Sequence, residues 1–134
     1  MEHVKVVIHY ADGRVVKGYT DNFFPNKPAF HIKPAGTDTA GKGIEVYIKD
    51  LKAVFFVKDF SGNPAYNERK SFGEDQKPSG RKVEVTFADG EVLVGATLGY
   101  DQNRPGFFIT TPDPQSNNLR VFVVSAAMSK FRYL

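Results

Sequence analysis

Cysteine and tryptophan are both missing from this chain of 134 residues. The first absence removes disulfides, thiolate nucleophiles and thiolate metal sites together. No apolar run approaches the ~18 residues that a membrane-spanning helix needs. The opening Met1-Glu2-His3-Val4-Lys5 has no basic stretch leading into an apolar one, so neither a membrane association nor a secretory leader is expected. Charge of one sign is never concentrated: the net of +3 arises from 18 Lys and Arg against 15 Asp and Glu, without the basic stripe of a nucleic-acid footprint. Histidine is scarce, and its 3 residues show no metal-ligand spacing. No nucleophile, base and orienter set can be assembled from what remains. The expectation is a cytoplasmic, non-enzymatic protein with no cofactor and no metal.

What the chain does have is a repeat. Residues 5–32, shifted by 77 positions onto 82–109, coincide at 12 of 28 places: Lys5/Lys82, Val6/Val83, Ala11/Ala88, Asp12/Asp89, Gly13/Gly90, Val15/Val92, Gly18/Gly95, Thr20/Thr97, Asn26/Asn103, Pro28/Pro105, Phe30/Phe107 and Ile32/Ile109. Self-similarity at a fixed period identifies the structural unit. It divides the chain into a first repeat over 1–59, a linker over 60–80 rich in Gly, Pro and Ser, and a second repeat over 81–134. Each unit, about 55 residues long, is near the lower limit for burying a core of its own, so the two are expected to lean on one another.

Each repeat reads as five strands. Val4, Val6 and Ile8 alternate with Lys5, Val7 and His9, the period of two that marks a strand with one face on a core. Ala11-Asp12-Gly13 supplies a hairpin turn, and the recurring Gly18 and Gly95 mark a bend or a close backbone approach inside the second strand. Further strands are expected at 29–33, 44–48 and 53–58, with one short turn before the last, and at the matching places of the second repeat. The fold class that follows is all-β, a tandem duplication of a five-stranded SH3-like or Sm-like small barrel, with a ten-strand β-sandwich as the rival. Neighbouring strand residues point to opposite faces, so Phe55-Phe56 and Phe107-Phe108 each send one ring into a barrel and one out of it. With the unbroken apolar runs 54–57 and 121–124, this implies strands covered on both sides by packing of the two barrels or by another chain.

Several motifs invite a chemical reading. Gly36-Thr37-Asp38-Thr39-Ala40-Gly41-Lys42-Gly43 nearly matches a phosphate loop, but Gly43 stands where a Ser or Thr should hold magnesium, and a strand rather than a helix follows. Asp12 and Asp89 precede turn glycines, where a carboxylate caps its own turn. Asn26-Lys27-Pro28 and Asn103-Arg104-Pro105 place an amide, a cation and a proline at matching loop positions, either as loop architecture or as a ligand-contacting loop. Phe23 and Phe24 lie in a loop, as a plug or as an exposed contact. The candidate binding set is therefore Phe23, Phe24, Asn26, Lys27, Pro28, Asn103, Arg104, Pro105 and Phe108.

Two resemblances extend this reading. The run 83–95 followed by Gly99-Tyr100-Asp101 resembles the opening of an Sm-like fold, which implies a five-stranded barrel that pairs with others through its last two strands. The RNA site of that family does not carry over: Arg104-Pro105-Gly106 stands where a Met-Asn pair is placed, and Lys49-Asp50 and Ser125-Ala126 replace the later Arg-Gly. The runs 51–64, 80–87 and 115–124 resemble the repeated signature of an uncharacterised bacterial family of duplicated small β-barrels, sometimes found with PilZ-type signalling domains. That resemblance implies a regulatory setting. The expected function is a binding or adaptor module for a protein or peptide, acting through barrel edges and exposed aromatics. An Sm-like role in binding nucleic acid or a nucleotide is the alternative, and a second copy of the chain is a further candidate partner.

Overall fold

In the computed structural model, which describes residues 4–20, 23, 27–34, 43–58, 80–100, 104–110 and 118–134, the period-two segments are strands throughout. The first five are β1 (Val4–Tyr10), β2 (Val15–Thr20), β3 (Ala29–Pro34), β4 (Ile44–Tyr47) and β5 (Leu51–Val57). The second five are β6 (Arg81–Phe87), β7 (Val92–Thr97), β8 (Gly106–Ile109), β9 (Asn118–Val124) and β10 (Met128–Tyr133). One-turn 3-10 helices at Ile48–Asp50 and Ser125–Ala127 precede β5 and β10, where the short breaks are expected. The linker lies outside the described residues except for Gly80, as does the loop from Gly36 to Lys42.

Local chemistry accounts for the hairpins. Gly13 and Gly90 take φ of +97° and +94°, a region closed to most side chains. Asp12 Oδ1 accepts the Arg14 N–H at 3.0 Å, and Asp89 Oδ1 accepts the Glu91 N–H at 3.0 Å, so each carboxylate caps its own turn. At Gly18 and Gly95 the approach is close: an added Cβ would stand 2.7 Å from the Lys33 carbonyl oxygen in one case and 2.6 Å from that of Thr110 in the other. Thr20 and Thr97, both buried, donate their hydroxyls to the carbonyls of His31 and Phe108.

Seven strands form one sheet in the order β4-β3-β2-β1-β5-β9-β8, and three form a second in the order β10-β6-β7. Ala96 and Thr110 bridge β7 to the residue after β8, with backbone bonds of 2.9 Å in both directions. The registers of the two halves correspond. Val6 faces Gly18 as Val83 faces Gly95, Phe30 faces Val46 as Phe107 faces Val123, and His9 faces Ala53 as Thr86 faces Lys130.

The halves meet where β5 pairs antiparallel with β9: Ala53 faces Val123, Val54 faces Phe122, Phe55 faces Val121 and Phe56 faces Arg120. Two cores lie on opposite sides of this ladder. Val54, Phe56, Phe122 and Val124 join Val6, Ile8, Phe30, Ile32 and Val46 in the first. Ala53, Val121 and Val123 join Val83, Val85, Phe87, Phe107 and Ile109 in the second, with Phe55 against them. Each half thus lends alternate residues of its junction strand to the other half's core. The apolar runs 54–57 and 121–124 are buried, apart from the half-buried Phe55, because both faces of β5 and β9 are covered.

Phe122 is wholly buried in the first core although it belongs to the second half. Phe122→Ala is expected to lower the unfolding free energy by about 3–5 kcal/mol, as large-to-small core changes do. Phe108→Ala, at a ring only partly buried, is expected to cost less but more than an ordinary surface change. Urea denaturation of the two variants checks both, and an unaltered midpoint for either contradicts the shared-core reading.

Candidate functional site

The loop aromatics are drawn inward. Phe23 packs edge-on against Phe30, Phe122 and Phe56 at centroid distances of 4.8, 5.1 and 5.4 Å, with Phe108 at 6.0 Å, so it is a plug of the first core. Phe108 lies 5.1 Å from Phe122, and the Arg120 guanidinium stands over Phe108 at 4.3 Å and over Phe56 at 4.6 Å. Two candidates far apart in sequence, Phe23 and Phe108, are thereby brought together as packing residues. Pro28 and Pro105 have a matching structural duty: their carbonyls accept the N–H of Ile48 at 3.0 Å and of Ser125 at 2.9 Å, bracing the turns before β5 and β10. Lys27 and Arg104 are exposed beside them. Phe24, Asn26 and Asn103 lie outside the described residues.

Sequence reasoning passed over Lys52. The register of β1 and β5 slips between His9 and Tyr10, and Lys52 falls at the irregularity. A bulge re-aims the side chain it carries. Lys52, only 12% exposed, reaches the turn of the second half, where its Nζ donates to Asp89 Oδ2 at 2.7 Å and Glu91 Oε1 at 2.6 Å and stands 4.8 Å from the Phe87 ring centroid. At the matching place in β10, Ser129 donates instead to the carbonyls of Thr86 and Phe87. Burial pulls the Lys52 pKa down, but its bonds to Asp89 and Glu91 outweigh that and hold it above the ordinary value. Asp89 is held below the carboxylate range, first by Lys52 and then by the Glu91 N–H. His9, its ring tilted 4.6 Å from that of Phe55, has its pKa pushed down by burial and then by Lys52. Among the described residues, no three His, Asp or Glu side chains converge as a cation site would require.

The barrel edges expected from the sequence fall on strands it did not single out. Among the described residues, β4 and β10 each pair on one side only. The Leu134 N–H donates to the Lys82 carbonyl at 2.9 Å, so strand alternation turns the Phe131 and Tyr133 N–H groups away from β6, toward the open side of β10. These are the edges that would meet if β10 of one molecule joined β4 of another as β5 joins β9. Lys130 then takes the place of Ala53, and Glu45 that of Phe122, both wholly buried at the internal junction. In that register Lys130 would face Val46 and Glu45 would face Phe131. The two charges fall on opposite faces of the sheet, where neither neutralises the other. Comparison at an offset of 77 carries this signal: apolar residues stand at the joined edge and charged ones at the open edge.

Two outcomes follow. A group lowered on folding, such as Asp89, stabilises the fold above its ordinary pKa of about 3.9 and loses that contribution as pH falls through the lowered value. Lys52, raised on folding, contributes until the pH climbs past its ordinary value of about 10.4. Lys52→Met is expected to flatten the acid limb of stability between about pH 5 and pH 2, read as urea midpoints across pH; a limb as steep as wild type contradicts the clamp. The pair Glu45→Phe and Lys130→Ala is expected to convert the protein to head-to-tail oligomers in sedimentation velocity, reversed by adding Tyr133→Pro. A pair variant that stays a single chain contradicts the edge argument.

No curated protein and no solved structure matches the chain. A model for a family of unknown function, DUF6982, matches residues 2–134, and the chain therefore belongs to that family.

Proposed function

We propose that the chain is a tandem duplication of a five-stranded SH3-like or Sm-like barrel, its copies covering 1–59 and 81–134, and that it is a non-enzymatic binding module. The corresponding registers and the matching turns, threonines and prolines support the duplication. The ladder between β5 and β9 supports the Sm-like comparison, since it joins the last strand of one copy to the fourth of the other. A cytoplasmic, bacterial setting suits a chain without cysteine that resembles modules found beside signalling domains.

One observation carries the binding role. β10 ends the succession of strands with backbone donors turned outward and a row of side chains, Lys130, Phe131, Arg132 and Tyr133, alternating across its faces. An exposed edge of this kind accepts an extended segment as an added strand, with main-chain bonds for affinity and alternate side chains for selectivity. Phe55, Phe56, Phe107 and Phe108 pack against the two cores, which among the described residues favours the edge over these rings as the contact surface.

Selection of a random extended-peptide library on the immobilised protein tests this reading. Selected peptides are expected to bind Tyr133→Ala, which keeps the N–H, and to lose at least about tenfold in affinity on Tyr133→Pro, which removes it. Far-ultraviolet circular dichroism verifies that both variants are folded. Peptides that bind both variants equally would overturn the edge as the binding surface.

A further inference from the structure

The charge of the chain is distributed in a way its total conceals. Strands β6 and β10 carry Arg81, Lys82, Lys130 and Arg132 against one acid, Glu84, an excess equal to the whole formal net charge of +3. Lys130 and Arg132 share the outer face with Lys82 and Glu84, since Lys130 faces Thr86, Arg132 faces Glu84 and the Leu134 N–H bonds to Lys82. Arg132 binds Glu84 through Nε at 2.8 Å and Nη2 at 3.1 Å, using two of the five N–H groups of a guanidinium. On the opposite face, Phe131 is stacked on Tyr100 at 4.1 Å and Tyr133 carries the Arg81 guanidinium at 3.8 Å.

We infer that β10 receives an extended segment of another protein in which acidic side chains alternate with apolar ones. This rests on the edge-binding reading and names its partner chemistry. A strand added beside β10 places every second side chain next to Lys130 and Arg132, where carboxylates are favoured, and the intervening ones next to Phe131 and Tyr133, where apolar groups are favoured. The ladder between β5 and β9 is the internal precedent for such an addition, and it sets the antiparallel sense. A second copy of the chain is the wrong occupant, because its β4 brings Glu45 to a position facing Phe131 rather than Lys130. A nucleic acid is disfavoured by the same geometry. Tyr100 takes one face of Phe131 and Arg81 one face of Tyr133, which leaves less ring for base stacking than for the side chain of an added strand, and a sugar-phosphate backbone cannot continue an N–H to carbonyl ladder.

The test uses fluorescence anisotropy on the full chain at about 0.15 M salt. The probes are a labelled peptide of alternating Glu and Val, its counterpart of alternating Lys and Val, and an oligothymidylate of similar length. Binding of the Glu peptide at least tenfold tighter than the Lys peptide is expected. The double variant Lys130→Gln and Arg132→Gln, which retains a donor toward Glu84, should weaken it by about tenfold, the effect of losing two exposed ion pairs. Equal binding of the two peptides, both abolished by Tyr133→Pro, would sink the acidic preference while leaving edge binding intact. Binding of the Glu peptide that Tyr133→Pro leaves unchanged would sink edge binding itself. Tighter binding of the oligothymidylate, or concentration-dependent self-association of the wild-type chain that Tyr133→Pro abolishes, would overturn the choice of partner.

Discussion

A strand that is apolar on both faces has to be covered on both faces, and β5 and β9 are two such strands placed side by side. Val54 and Phe56 turn toward one core while Ala53 and Phe55 turn toward the other, and Phe122 and Val124 oppose Val121 and Val123 in the same way. Burying one such side chain contributes about 1.5–3 kcal/mol, so the several that cross the ladder supply a large part of what either half needs. A unit of this size, alone, would expose one whole face of its junction strand and lack the ring that its neighbour contributes. The halves are therefore stable as a pair, and the clamp from Lys52 to Asp89 and Glu91 pins the turn of the second half to the junction strand of the first.

Much of this was legible in the residues. Period-two alternation located the strands, Asp-Gly located the turns, and the paired phenylalanines announced strands with two buried faces. The duties of Asp12, Asp89, Gly18 and Gly95 were readable because the repeat showed them twice. What could not be read was which strand meets which. Sequence separation is silent about whether Phe56 covers Phe122 or a second molecule, and Phe23 has the same local pattern whether it plugs a core or stands in water. Lys52 was illegible for a different reason: its direction is set by a bulge, a register slip between His9 and Tyr10 that depends on the pairing of β1 with β5.

The repeat also contains its own control experiment. Two strands at matching places in the two halves, β5 and β10, carry Ala53, Val54, Phe55 and Phe56 in the first half and Lys130, Phe131, Arg132 and Tyr133 in the second. The inward residues keep their aromatic or aliphatic character because both cores need it. The outward residues change from apolar to cationic because, among the described residues, only β5 has a neighbouring strand there. Similarly β9 presents Phe122 where β4 presents Glu45, which accepts the Tyr47 hydroxyl and lies 3.6 Å from His31. Burial at one junction and solvation at the other account for each of these substitutions.

A contact between the last strand of one unit and the fourth strand of the next is head-to-tail, and such contacts propagate until a ring closes or a filament forms. Propagation from this chain would require its terminal edges to meet as its internal ones do. Lys130 and Glu45 oppose that by placing one charge on each face of the prospective ladder, so that each would lose water without gaining the other. Charge at an edge is inexpensive while the edge is solvated and costly once the wrong strand covers it. Among the described residues no strand pairs with the outer backbone donors of β10, and the same charges set a condition on what completes that strand. On the proposal of an acidic partner strand, a segment that brings carboxylates to the face of Lys130 and Arg132 meets the condition, whereas β4 of a second molecule would set Glu45 on the other face.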